Sequence, residues 1–406
     1  MLRLFFSSIW VIVAISFISV TTPTWVSGQT ADAIRRGQLS FNEGVSLASK
    51  GDAAMAIAKF TEAIAFTPDW HLPYLNRGVM RMSVGQLVEA EEDADKALSL
   101  IRPDLPSAKV HSALAYQVKG SARQQRGENS IALDFFTKAV ELDPKNPKIL
   151  NSLGTALRVL GKLEEALNAH NKSIEMNSTV SMFYVNRSYV LEKLGKSDDA
   201  FKDLNKAISL NQNDATAYYT RGAMRMRVSL YSEALTDLDK AIQLNSNTSG
   251  YFHARGLCHY NLKNYEDAVK DQTRAVELDP KNVRAFSDRA IIHAAMKNLK
   301  LAVEDLRTAI AIAKNSSVLR YNLAYFLYQS GEYEASIQIL TEVITNHPNW
   351  KAPYMLRSNG YIKQGMQAKA RADRAKLAAI ASDVKPTGEQ YTIFNIDVAA
   401  LDEAVN

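Results

Sequence analysis

Apolar side chains recur at spacings of three and four along most of the chain, the period of a helix that buries one face. The runs come in pairs, and the break inside a pair carries glycine at Gly51, Gly85, Gly127, Gly161, Gly195, Gly331 and Gly365. A glycine just past the last periodic residue ends a helix. The pattern therefore predicts helical hairpins set one after another.

Small residues punctuate these hairpins at a fixed interval. Residues 216–247 show it plainly: Gly222, Ala234 and Ala241 lie 12 and 7 residues apart, and steps of 34 in either direction meet the same punctuation. The leading small residue of each repeat is in turn Gly44, Gly78, Gly120, Gly154, Ser188, Gly222, Gly256, Ala290, Ala324 and Ser358, which makes ten repeats. One interval departs, because Gly78 and Gly120 are 42 residues apart and eight residues are inserted near Pro103 and Pro106. Two prolines forbid a continuous helix there, so the extra length is expected as a loop over 105–112, dividing repeats one and two (37–104) from repeats three to ten (113–384). Residues 385–406 fall outside the repeat and are expected either to cap the last hairpin or to lie as an internal competitor against the binding face.

An aromatic stands four residues before the small point in many repeats, at Tyr74, Tyr184, Tyr218, Phe252, Phe286 and Tyr354. With the 34-residue period and the Ala, Phe, Ala and Pro that follow, as in Ala132, Phe136, Ala139 and Pro144, the chain resembles the tetratricopeptide repeat family. The resemblance implies an all-α fold, a right-handed superhelical solenoid of stacked antiparallel helix pairs. It also implies a concave groove, lined by the first helix of each pair, that takes protein or peptide segments. The family's chaperone-tail clamp is not expected, since no repeat has its lysine and asparagine at the required places.

The sequence departs from the family pattern in one systematic way. Where the family prefers leucine just before the small point, six repeats have arginine: Arg77, Arg187, Arg221, Arg255, Arg289 and Arg357. Sixteen residues after each stands an aspartate: Asp93, Asp203, Asp237, Asp271, Asp305 and Asp373. The first repeat has the charges reversed, as Glu43 and Lys59, and the fourth and ninth have neither; only Lys119 with Phe135 in the third breaks the rule. Covariation among repeats of one chain points to a charge clasp between the two helices of a hairpin, because a guanidinium at a packed place needs a carboxylate to accept its hydrogens. The clasp removes six arginines from any nucleic-acid stripe.

At about 100° per residue, the places 6 and 3 before and 1, 4 and 5 after each small point lie opposite the packed face of the first helix. They hold the candidate peptide contacts Arg158, Tyr189, Lys193, Tyr219, Arg227, His253, Tyr260, Arg284, Tyr321, Tyr325 and Tyr328. Glu192 is the only acid among these fifty places, against six lysines and arginines. Such a face suits an extended peptide or short helix that carries apolar and acidic groups.

Composition changes this picture little. The 406 residues are 47% hydrophobic and 22% charged with a formal charge of +5, and the 48 basic residues are interspersed with 43 acidic ones, so the chain folds and carries no nucleic-acid tail. The N-terminus changes it more. Arg3, an uncharged apolar run over 4–20 and the small residues Val26, Ser27 and Gly28 read as a signal peptide over 1–28, or else as an uncleaved membrane anchor. Both readings export the body to a periplasm, a secretory lumen or the exterior. A lone cysteine, Cys258, rules out a disulfide framework. No phosphate loop, serine elbow or metalloprotease motif is present, His259 and His293 read as packing residues, and no metal, cofactor or catalytic residue is expected. Sequons stand at Asn171, Asn177, Asn186, Asn247 and Asn315. Two function classes follow: an exported non-catalytic scaffold for protein or peptide partners, or an accessory subunit of an envelope- or glycan-processing assembly whose catalysis lies in another protein.

Overall fold

A computed structural model describes residues 30–387, and the proposed signal segment and most of 385–406 lie outside the described residues. Twenty α-helices and no strand occur among the described residues. They form consecutive antiparallel pairs. The first five pairs are α1 (Ala31–Ser49) with α2 (Ala53–Phe66), α3 (His71–Ser83) with α4 (Leu87–Leu100), α5 (Ala108–Gln125) with α6 (Asn129–Leu142), α7 (Pro147–Val159) with α8 (Leu163–Met176), and α9 (Ser181–Lys193) with α10 (Ser197–Leu210). The next five are α11 (Ala215–Arg227) with α12 (Tyr231–Leu244), α13 (Ser249–Asn261) with α14 (Tyr265–Leu278), α15 (Val283–Ala295) with α16 (Leu299–Ile312), α17 (Ser317–Gln329) with α18 (Tyr333–Asn346), and α19 (Lys351–Lys363) with α20 (Gln367–Ala379). The chain divides between 217 and 218, inside α11, into two compact halves.

Within each half the same contacts repeat. A second helix packs on its own first helix and on the next one, and successive first helices touch, as α3 does α5 in one half and α17 does α19 in the other. The small points make this possible. Ala56, Ala90, Ala132, Ala166, Ala200, Ala234, Ala268 and Ala302 are fully buried, and a methyl side chain lets helix axes approach closely. Gly120 shows the tolerance at the other fixed point: an added Cβ would lie 2.8 Å from the Phe136 ring, and Phe136 is fully buried.

The eight inserted residues are shared between loop and helix. The connection from α2 to α3 is residues 67–70 and that from α4 to α5 is 101–107, three longer, while α5 has 18 residues where α3 has 13. The expected loop over 105–112 is thus corrected, because Pro106 bars helix on its N-terminal side only and leaves the residues after Ser107 free to coil. The extension carries His111, whose Nδ1 lies 2.8 Å from Nε2 of His71 on α3. At the other end, Asp383 Oδ1 accepts from the Lys351 amide at 2.7 Å and Val384 donates its amide to the Asn349 carbonyl at 2.9 Å. The chain leaving α20 therefore returns to the start of α19. No helix among the described residues is long and apolar enough to cross a membrane.

Candidate functional site: the arginine hubs and the first-helix face

Each of the six arginines makes a two-pronged bond to the aspartate of its own hairpin. Nε and Nη2 of Arg77 reach the two oxygens of Asp93 at 3.0 and 2.6 Å, and Arg221 reaches Asp237 at 2.9 and 2.6 Å. The corresponding Nη2 distances are 2.7 Å for Arg187 to Asp203, 2.7 Å for Arg255 to Asp271, 2.6 Å for Arg289 to Asp305 and 2.7 Å for Arg357 to Asp373. All six aspartates are buried, Asp237 at 2% exposure. These are interior charge pairs, far from the solvated type that contributes little. The carboxylate hydrogen bond raises the guanidinium of Arg187, Arg255 and Arg357 above its ordinary value.

Three further contacts turn the clasp into a hub. The leading aromatic lies under the guanidinium, with Arg77 over Tyr74 at 5.6 Å, Arg255 over Phe252 at 5.6 Å and Arg289 over Phe286 at 5.5 Å. Nη1 reaches back to the second helix of the preceding hairpin, to Thr61 from Arg77, Asn171 from Arg187, Asp239 from Arg255, Thr273 from Arg289 and Thr341 from Arg357, at 2.7 to 3.1 Å. A second base approaches the same aspartate from three residues after the small point: Arg81 at 2.8 Å, Arg225 at 2.6 Å, and His259 and His293 at 3.9 Å. The hub thus ties neighbouring hairpins together as well as the two helices of one. Sequence reasoning missed this second base, although Arg81, Arg225, His259 and His293 share one register place.

The exceptional repeats follow the same logic. Lys59 meets Glu43 at 2.7 Å, with Glu43 exposed and Lys59 half-buried. Lys119 stands over the Phe135 ring at 4.7 Å and pairs with Asp95 of the preceding hairpin at 2.5 Å. The residue that broke the charge rule is therefore held by a ring and a carboxylate from two different second helices.

The candidate peptide contacts divide by exposure. Lys193 and Arg227 are exposed, whereas Arg158, Tyr189, Tyr219, His253, Tyr260, Arg284, Tyr325 and Tyr328 are half-buried. Tyr321 is fully buried and is removed from the face: its ring packs 4.8 Å from that of Trp350, which enters from the next hairpin. Several half-buried members contact the neighbouring first helix. Arg158 lies 5.5 Å over Tyr189, Tyr219 packs 4.9 Å from Tyr251, and His253 Nε2 sits 2.7 Å from Asp288 Oδ2. Burial lowers the Arg158 guanidinium below its ordinary value and raises the hydroxyls of Tyr219, Tyr260 and Tyr328 above theirs. Such contacts brace successive first helices within each half, Arg158 with Tyr189 in one, and Tyr219 with Tyr251 and His253 with Asp288 in the other. Of the sequon asparagines, Asn171 and Asn186 are engaged in such bonds, to Arg187 and Asn151. No three His, Cys, Asp or Glu side chains gather to hold a metal among the described residues.

Family models described as tetratricopeptide repeat match residues 113–146, 135–168, 183–214, 249–282 and 293–359. Tetratricopeptide repeat protein 28 of Homo sapiens is 34% identical over 100 residues, 25% of this chain and 4% of that protein. The chain thus spans a small fraction of that relative's length. Among solved structures, a monomeric mutant of IFIT1 with Gppp-AAAA is similar with a TM-score of 0.52 at 16% identity, over 85% of this chain and 90% of that one. A tetratricopeptide repeat protein from Parabacteroides merdae is similar with a TM-score of 0.48 at 19% identity, over 63% and 98%. YrrB, a TPR protein with an unusual peptide-binding site, is similar with a TM-score of 0.37 at 24% identity, over 45% and 95%. The 34-residue register, the stacked helix pairs and the matching models agree, and the chain belongs to the tetratricopeptide repeat family.

Proposed function

We propose that this protein is an exported scaffold that recruits a protein or peptide partner along the face of its first helices, without chemistry of its own. The observation that carries the reading is the charge and shape of that face. The hubs draw Arg221, Arg255, Arg289 and Arg357 onto aspartates, while the half-buried rings Tyr219, Tyr260, Tyr325 and Tyr328 and the exposed bases Arg227 and Lys363 stand at the outward places. Rings held rigidly by their neighbours supply contact area at low entropic cost, and bases select acidic partners. The partner segment is therefore one that alternates apolar with acidic residues. Export rests on the apolar run over 4–20 and the small residues before Gln29.

A fluorescein-labelled peptide of glutamates alternating with phenylalanine and isoleucine tests the reading by anisotropy. Reversing two exposed bases, Arg227→Glu with Lys363→Glu, is expected to weaken binding about tenfold, roughly 1.4 kcal/mol, and to flatten its salt dependence. Affinity unchanged in this variant overturns the assignment of the face. The mass of the purified exported chain tests the compartment: an N-terminus at Gln29 is the expected result.

A further inference from the structure

The first helices of the last four hairpins, α13, α15, α17 and α19, contain a single carboxylate, Asp288, and His253 holds it at 2.7 Å. Their outward places in α17 and α19 offer the half-buried Tyr325, Tyr328, Met355 and Ile362, with Lys363 exposed beside them. Residues 388–406 have the opposite character. They contain four carboxylates, Glu389, Asp397, Asp402 and Glu403, no lysine or arginine, and the apolar Tyr391, Ile393, Phe394, Ile396, Val398, Leu401 and Val405.

The chain also emerges in the right place. Asp383 and Val384 are fastened to Lys351 and Asn349 at the start of α19, and the 19 residues from 388 on extend to roughly 60 Å at about 3.3 Å each. A thirteen-residue helix such as α19 is about 20 Å long. The segment is therefore long enough to run the length of α19 and reach α17.

The outer side of α20 is the competing place: its bases suit the segment's carboxylates, but it has no apolar place for the segment's aromatic and aliphatic side chains. Sixteen residues after the small point, earlier repeats bury Phe60, Phe136, Leu204, Leu238, Leu306 and Leu340, whereas α20 has Arg374, exposed. Lys369, Arg371 and Lys376 continue a basic, alanine-rich surface. A terminal repeat with a polar outer face already serves as its own cap.

Resting on the face assigned under Proposed function, we propose that residues 388–406 are an internal ligand of the first-helix face of α17 and α19 and compete there with the external partner. Tethering raises the local concentration of the segment, so a modest intrinsic affinity suffices to occupy the face. An acidic-apolar partner then displaces it.

The full chain carrying benzoylphenylalanine in place of Phe394 tests this by photo-cross-linking and mass spectrometry. Cross-links within one molecule to Tyr325, Tyr328, Met355 or Ile362 are expected. Cross-links to α20, cross-links between molecules, or none at all overturn the proposal. In parallel, the full-length variant Phe394→Ala with Ile396→Ala, Asp402→Lys and Glu403→Lys is expected to bind the labelled glutamate-phenylalanine-isoleucine peptide at least several-fold more tightly than the parent. Equal binding by both chains sinks the internal ligand and leaves the face assignment standing. Cross-links to α17 with no binding of the labelled peptide by either chain sink the face assignment for external partners instead.

Discussion

A guanidinium in the seam between two helices is tolerable only when every one of its hydrogens has somewhere to go. At Arg289 three of the five are placed within the fold, two on Asp305 and a third on Thr273, with Phe286 under the plane, and the side chain's partial exposure leaves the other two to solvent. Removing the carboxylate alone, in Asp305→Leu, leaves a buried cation and is expected to cost about 3 kcal/mol. Replacing both members, Arg289→Met with Asp305→Leu, is expected to return stability close to that of the parent, because the desolvation cost vanishes with the charges. Urea unfolding followed with hydrogen exchange in α15 and α16 separates the two outcomes; equal losses from the single and double variants mean the pair is held by packing alone. Lys59→Ala, by contrast, removes a pair whose carboxylate is exposed and is expected to change unfolding by less than about 1 kcal/mol. The bidentate partners were legible in the sequence because ten repeats align themselves. The third partners were not, since threonine, asparagine and aspartate alternate at that place and no single chemistry repeats. Tyr321 misled for a related reason: its burial depends on Trp350, a residue of the next hairpin.

At the scale of the element, the breaks inside hairpins are where the backbone is asked for an unusual conformation. Seven breaks place glycine at positive φ, among them Gly331 at 85°, and three place another residue there: Ser229 at 61°, Lys263 at 63° and Lys297 at 64°. These three stand at the same 34-residue step as the glycines. A left-handed backbone costs an ordinary side chain about 1 kcal/mol. Lys263→Gly and Lys297→Gly are therefore each expected to stabilise the fold by about 1 kcal/mol, less the entropy glycine returns to the unfolded chain. Gly331→Lys is expected to destabilise, and purely through φ, since a Cβ there would meet nothing within 4 Å. Thermal midpoints check all three, and a loss of stability in Lys263→Gly shows that the lysine side chain is worth more than its strain. The helix pairs themselves were readable from period and glycine. The five-residue extension of α5 was not, because Pro103 and Pro106 signal only where a helix cannot run, and say nothing about how soon after them it starts.

At the scale of the molecule, the two halves differ in how they keep their histidines. The N-terminal half buries three. His71 is pushed down to about 4 by burial and by His111 beside it, burial lowers His111 too, and His170 is pushed down to about 3 by burial together with Arg158 and Arg187. In the C-terminal half His253 lies against Asp288, His259 and His293 near the hub aspartates, and His347 against Ser317. Of the hub histidines His293 is lowered, by burial. A histidine lowered on folding is neutral when folded and protonated when unfolded across the window between its two values, so the unfolded state binds more protons there. Stability is accordingly complete above pH 6.5 and is lost as pH falls from 6.5 through about 4 for His71 and about 3 for His170. For His71 the loss amounts to about 3 kcal/mol. Because repeat arrays open in segments, the amides of α3, α5, α7 and α8 are expected to exchange faster than those of α17 to α19 as the pH is lowered from 7 to 4. His170→Phe supplies the control. Phe60 and Phe136 already fill the equivalent place in their hairpins, so the variant is expected to fold at neutral pH and to lose less stability by pH 4 than the parent. Protection from exchange that falls equally in both halves, or a His170→Phe protein as acid-sensitive as its parent, removes the buried histidines as the cause.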